Sequence, residues 1–352
     1  MIEVKKEGIL LKKTKLEFEN EGVLNPAAIR EGNYVHLFYR AVCTGNNSSI
    51  GYCRLNGPLT VEERLTKPVL VPQLDFESHG MEDPRIVKIN DLYYLTYTAY
   101  DGINALGALA VSKDLIHFDK LGLVVPQITY DEFNRLTEIK EPIDKKYLRY
   151  NDNNGIVNIH GVNVFVWDKN VVFFPRKING KFYFLHRIKP DVQIIVSIKN
   201  MHELTIGFWI DYFLNLKDSI VLSPKYAHEA DYLGGGCPPI ETELGWLLIY
   251  HGVQNSEKGL IFSACAALLD LENPQKEIAR LPYALFKPEE DWERRGEVNN
   301  VCFPTGAVLF DDTIYIYYGA ADEQIACASV SKTDLLKELM HYAKGSENIN
   351  IG

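Results

Sequence analysis

The chain has 352 residues, 46% of them hydrophobic and 24% charged, and carries a formal net charge of −10. So acidic a balance argues against nucleic-acid and anionic-membrane partners, which need a basic face, but a small anionic substrate needs only a few local cations. No run approaches the about 20 apolar residues of a membrane span, and the amino terminus shows no signal-like apolar segment, so a cytoplasmic protein is expected.

Along the chain one pattern recurs five times. A proline-bearing run leads through a turn into an aromatic-rich alternating strand, which is followed by a run of small and apolar residues. The first unit reads Asn25-Pro26-Ala27, then Asn33–Val42, then Ser49–Leu55. The second reads Glu82-Asp83-Pro84-Arg85, Leu92–Asp101 and Gly107–Ser112. The third reads Phe174-Pro175-Arg176, Lys181–Arg187 and Ile194–Ile198. The fourth reads Cys237-Pro238-Pro239, Gly245–Val253 and Phe262–Leu268; the fifth reads Phe303-Pro304-Thr305, Thr313–Ala321 and Ile325–Ser331. Period-two alternation of this length means strands, and Gly, Asn or Asp turns between them mean antiparallel meanders. Five such units predict an all-β fold, a five-bladed β-propeller occupying residues 1–352 as one catalytic domain. Residues 125–166 are polar and irregular and read as an insertion loop. Residues 332–344 predict a short C-terminal helix capped by Thr333 or Asp334. Cys43, Cys53, Cys237, Cys265, Cys302 and Cys327 show no metal-ligand spacing, so buried free thiols, no metal and no organic cofactor are expected.

In a propeller the first strand of each blade lines the axis, so the polar residues beside the prolines converge. This selects Asn25, Glu82, Asp83, Arg85, the 232–237 stretch and residues 297–300. Asp83 stands out, because sugar chemistry needs an acid to protonate a leaving oxygen. A structural ion pair fastening the second blade is the competing reading. An inverting hydrolase needs a second carboxylate to activate water, whereas a phosphorylase needs cations to hold phosphate. Lys169, Arg176, His186, Arg187 and His251 supply candidates. Gly234-Gly235-Gly236 precedes an inner strand, where bare backbone can approach a ligand.

At these residues the sequence resembles glycoside hydrolase family 130, the β-mannoside phosphorylases and related β-mannosidases. The matching pieces are NPAAI with LFYRA, GMEDPRIV, Lys169 through FPRKINGKFYFLHR, GGGCPPIETELGWLLIYHGV and GEVNNVCFPTGAV. The resemblance implies the same propeller, with Asp83 as proton donor acting through the sugar 3-hydroxyl. It implies Asn25 and Arg40 as mannose contacts, and Glu297 where the family usually has Asp. Glu82 and Arg85 of the same motif are counted with the substrate-binding set. It implies a phosphate site of Lys169, Arg187, Tyr232 and His251, in which Lys169 replaces the familiar Arg and Tyr232 the familiar Lys. The expected function is inverting phosphorolysis of a β-mannoside or manno-oligosaccharide, with inorganic phosphate as co-substrate and α-mannose 1-phosphate as product. The alternatives are an inverting β-mannosidase, with Glu229, Asp231 or Glu241 as base, and a non-catalytic glycan-binding propeller. The partner expected is a small-molecule β-mannoside or manno-oligosaccharide, and a homo-oligomer is compatible with the chain.

Overall fold

The computed structural model describes residues 2–140, 147, 164–257 and 259–343. It is mostly β with few helices. After strand β1 (Lys5–Leu11), a first meander comprises β2 (Gly22–Glu31), β3 (Tyr34–Cys43), β4 (Asn47–Asn56) and β5 (Thr60–Arg64). A second comprises β6 (Gly80–Ile89), β7 (Leu92–Tyr100), β8 (Ala105–Ser112) and β9 (Phe118–Leu123). One parallel pair, Ser48 with Gly80, joins the two. Helix α1 (Tyr130–Glu138) precedes a third meander of β10 (Lys169–Phe173), β11 (Phe182–Arg187), β12 (Val192–Ile198) and, after helix α2 (Ile206–Leu214), β13 (Ile220–Leu222). In the fourth, β14 (Tyr232–Gly235) and β15 (Ile240–Thr242) both pair with β16 (Gly245–Ser256), followed by β17 (Gly259–Leu269) and β18 (Glu277–Arg280). Helix α3 (Asp291–Arg294) leads to the fifth: β19 (Cys302–Phe310), β20 (Thr313–Ala320) and β21 (Gln324–Ser331), whose outer edge is completed by β1. Helix α4 (Lys332–His341) follows.

The aromatic alternation places one face of each meander against its neighbour. Phe38 and Ile50 pack with Ile86 and Leu95 between the first and second meanders. Leu106 and Leu109 pack with Phe173 and Phe184 between the second and third. Val172 and Leu185 then meet Trp246 and Leu248, and Leu247 and Ile249 meet Ile314 and Ile316. A fifth cluster joins Tyr317 and Cys327 of the last meander to Leu37 and Val35 of the first. Apolar burial, worth about 1.5–3 kcal/mol per large side chain, therefore links the meanders cyclically.

A buried polar clamp recurs inside this packing. Glu19, Glu77, Glu229 and Glu293 are fully buried, each in a short helical turn ahead of an inner strand. Tyr39, Tyr97, Tyr250 and Tyr318, at one equivalent place on the second strands, donate their hydroxyls to them at 2.8, 2.5, 3.3 and 2.6 Å. Arg64, Lys120, Arg280 and Lys6 supply the balancing cations. The third meander puts His186 in the tyrosine position, with its Nδ1 2.7 Å from Asp168 Oδ1 and its Nε2 2.9 Å from the Tyr212 hydroxyl of α2.

Two local expectations change. The segment read as a loop from 125 opens with α1, because Thr129 accepts from the Glu132 amide and Glu132 reaches back in a capping box; residues 141–146 and 148–163 lie outside the described residues. Helix α4 is capped by Ser331, whose side chain accepts from the Asp334 amide, while Thr333 in the first turn bonds Asp312. All six cysteines are free and five are buried. No described helix is long and apolar enough to cross a membrane.

Glu293→Gln leaves the Lys6 ammonium without its counter-charge and is expected to cost about 3–5 kcal/mol. Arg176→Gln, which breaks the half-exposed Arg176–Glu241 pair, is expected to cost about 1 kcal/mol or less. Urea unfolding of both checks this; equal losses would refute the clamp.

Candidate active site

Four of the five inner strands have an abrupt point. The ladder slips between Leu24 and Ala27 in β2, Glu82 and Arg85 in β6, Lys169 and Val172 in β10, and Pro304 and Gly306 in β19. At three of these bulges the backbone is left-handed: Asn25 at φ 49°, Asp83 at 47° and Asn170 at 56°. Asn and Asp tolerate that region best, and a bulge turns the side chain off the sheet. Just before each bulge the cross-strand partners are Leu24 with Arg40, Glu82 with Thr98, Lys169 with Arg187 and Pro304 with Tyr318. In the fourth meander Gly234 pairs with His251. The bulge residues Asn25, Asp83 and Asn170, with Arg40, Arg187 and His251 from the second strands, line one cavity of about 250 Å³.

Asn25, Arg40, Glu82, Asp83, Lys169, Arg187, Tyr232 and His251 all line it. Two of the anticipated site residues sit elsewhere. Arg85 is buried beneath and donates to the carbonyls of Gly235 and Gly236 at 3.1 Å each, and to that of Asp83. Glu297 lines a neighbouring cavity of about 630 Å³ that shares Arg40, Val298 and Asp322 with the first. The triglycine run serves packing: a Cβ on Gly234 would lie 2.1 Å from the His251 ring. Likewise a Cβ on Gly319 would meet Asn25 Oδ1 at 1.9 Å, so glycine there makes room for the asparagine. Of the carboxylates weighed as a hydrolytic base, Glu229 is held by Arg280 and Tyr250, and Glu241 pairs with Arg176. Neither Glu229, Asp231 nor Glu241 lines the cavity.

Charge within the cavity is divided. Glu82 pairs with Arg40 at 2.8 Å. Asp83 accepts a hydrogen bond from Asn25 Nδ2 at 2.6 Å. Burial opposes ionisation of Asp83, but Arg85, Lys169, Arg40 and the Asn25 bond together hold its carboxyl below the usual range. Lys169 is pulled down by burial and by Arg187 and Arg40, against Glu82 and Asp83. His251 is fully enclosed, and burial plus the cations Arg187, Arg85, Lys169 and Lys189 push it well below 6.5. It is therefore a neutral hydrogen-bonding ring at pH 7, where the sequence suggested a cation. Among the described residues its Nδ1 is buried without a hydrogen-bond partner, as are Asn25 Oδ1 and both polar side-chain atoms of Asn170. Buried polar atoms of this kind, facing a cavity, mark where a ligand supplies the missing partners.

A family model described as glycoside hydrolase family 130, β-1,4-mannooligosaccharide phosphorylase, matches residues 7–341. The chain belongs to glycoside hydrolase family 130. It is 34% identical to the 1,2-β-oligomannan phosphorylase of Thermoanaerobacter sp. (strain X514), covering 93% of this chain and 96% of that one. It is also 34% identical to the β-1,2-mannobiose phosphorylase of the same organism, over 90% of this chain and 92% of that one. Among solved structures, β-1,2-mannobiose phosphorylase from Listeria innocua, in complex with β-1,2-mannobiose, shares the fold with a TM-score of 0.71 at 21% identity, covering 96% of this chain and 99% of that one.

Among the lining residues of this family 130 chain that carry polar groups on their side chains, Trp167, Asn170, Lys189 and Asp322 escaped the sequence reading. Asn170 stands at the bulge position of Asn25 and Asp83 but is followed by Val171, so a search keyed on proline passes over it. Aligning Lys169–Arg187 with Glu82–Thr98 would have found it. Lys189 and Asp322 come after the second strands of their meanders, where the recurring motif has already ended.

Asp322 is raised to about 6, chiefly by burial, with Asp83 and Glu82 adding to the effect and Arg40 and Lys169 opposing it. A carboxyl raised on folding contributes stability that is whole below its unfolded pKa of about 3.9 and is lost as pH rises through 6. Asp322→Asn removes that titration. Relative to wild type, its Tm is expected to be roughly 2–4 °C more favourable at pH 8 than at pH 5. Equal differences at the two pH values would refute the assignment.

Proposed function

We propose that this family 130 enzyme is an inverting β-mannoside phosphorylase, built as a five-bladed β-propeller whose five inner strands carry the site. The cyclic order of the five packed clusters supports that architecture. Asn25, Arg40, Glu82 and Asp322 hold the mannosyl unit, Glu297 reaches the sugar from the adjoining cavity, and Arg85 braces Asp83 from below. Lys169, Arg187, Asn170, Tyr232 and His251 hold inorganic phosphate. A phosphate oxygen attacks the anomeric carbon as the bond to the leaving oxygen breaks. The proton of Asp83 passes through the sugar 3-hydroxyl to that oxygen, giving α-mannose 1-phosphate and the released sugar.

The observation that carries this reading is the pairing of a cationic wall with an acid. Lys169 and Arg187 are cross-strand partners that share one cavity with Asp83, and the carboxylates weighed as hydrolytic bases lie outside it. Water attack needs a base; phosphate attack needs cations. Without phosphate those cations keep Asp83 ionised. A dianion seated among them offsets their pull, so Asp83 gains its proton as phosphate binds, and the acid is ready only when the nucleophile is present. The two relatives at 34% identity bear the names of phosphorylases of β-1,2-linked mannosides, which makes β-1,2-mannobiose the first substrate to test.

Incubation of β-1,2-mannobiose with and without inorganic phosphate is expected to give mannose 1-phosphate only in its presence. Free mannose at an equal rate without phosphate would refute the reading. Asp83→Asn is expected to lower phosphorolysis by about 10²–10⁴-fold with an unchanged circular dichroism spectrum; retained turnover would remove Asp83 as the acid.

A further inference from the structure

Lys189 enters the cavity from the exit of β11, two residues beyond Arg187. The next two residues fix its position. The Pro190 carbonyl accepts the Leu233 amide of β14 at 3.3 Å, and the Asp191 carboxylate accepts the Tyr147 hydroxyl at 2.5 Å. The first bond ties the β11–β12 connection to the neighbouring meander and the second ties it to the segment ahead of β10; the ammonium lies 4.0 Å from the centre of the Tyr232 ring. The Arg187 guanidinium lies 5.4 Å from that same ring. An aromatic face attracts cations and, unlike a carboxylate, does not neutralise them. Tyr232 therefore lies against two positive groups, both of which line the cavity.

We propose that Lys189 is a further phosphate ligand, held beside Arg187 by the Tyr232 ring so that one inorganic phosphate is gripped by Lys169, Arg187 and Lys189 together. This rests on the phosphorylase reading above. Among the described residues, the groups facing Lys189 include Arg187, Lys169, neutral His251, Tyr232 and Asp231. Burial first, then Arg187 and Lys169, bring Lys189 down to about 7, with Asp231 partly opposing. A phosphate anion reverses that pressure, so its binding draws a proton onto Lys189 above pH 7. Affinity for phosphate then weakens as pH rises through 7 wherever residue 189 is lysine, and much less where it is an arginine that stays charged.

The test is steady-state phosphorolysis of β-1,2-mannobiose by wild type, K189M and K189R at pH 6 and pH 8, with KM resolved for each substrate. K189M is expected to raise the phosphate KM about 10–100-fold at pH 6, the loss of one charge-assisted hydrogen bond, with the mannobiose KM within twofold. K189R is expected to restore the phosphate KM to within a few-fold and to flatten its rise between pH 6 and pH 8. Thermal unfolding of each variant separates a binding loss from a folding loss; should K189M unfold early, K189Q replaces it. A phosphate KM unchanged in K189M, or both KM values rising in parallel, overturns this inference alone. Wild type that frees mannose equally well without phosphate overturns the phosphorylase reading and this inference with it.

Discussion

The structure depends on a buried carboxylate held between a tyrosine hydroxyl and a cation, repeated in four of the five meanders. A buried carboxylate is costly unless it is both paired and hydrogen-bonded, and once satisfied it permits one arrangement only. What it orders here is the second strand of each meander. Successive residues of a strand point to opposite faces. Three of the clamp residues, Tyr39, His186 and Tyr250, are each followed by a residue that lines the cavity: Arg40, Arg187 and His251. Fixing the first fixes the second. Arg40, Arg187 and His251 thus reach the cavity from rigid strands whose orientation is decided one residue away, in dry packing between meanders.

The same economy governs charge. A chain of net charge −10 builds a cavity that gathers the cations Lys169, Arg187 and Lys189 together with the carboxyls Glu82, Asp83 and Asp322. The two sets shift one another in opposite senses. Asp83 is held ionised by its cations, while Asp322 is raised by burial and by the neighbouring carboxylates. Two carboxyls pushed apart in this way take different roles at one pH. His251, enclosed among the cations, is kept neutral and offers a hydrogen bond without adding charge.

Much of this was legible in the chain. The aromatic alternation marked β3, β7, β11, β16 and β20, because strand periodicity and half-burial leave a direct trace in residue order. The prolines marked the inner strands, and through them Asn25 and Asp83. The clamp was not legible. Glu19 and Arg64 are 45 residues apart, and Lys6 and Glu293 are 287 apart, so no local pattern joins them. Asn170 lacked the proline that flagged its counterparts, and Lys189 and Asp322 lie past the repeated motif. Arg85 was legible as a charge beside Asp83, but only the fold reveals that its donors are spent on carbonyls under the site. The helix α2 was missed because its aromatic run, Phe208 to Phe213, reads as well for a strand as for a helix.

The third meander shows why the clamp could not be uniform. Its inner strand begins at Lys169, beside Arg187 and within reach of Lys189, so an outer-strand cation like those of the other four would add positive charge next to a group already lowered by its neighbours. Here the clamp carboxylate is Asp168, the residue just before Lys169, and histidine replaces the tyrosine. The outer partner is the neutral hydroxyl of Tyr212, carried on α2. It completes the clamp in the one meander whose inner strand begins with Lys169 beside Arg187, where a further cation would lower Lys169 still more.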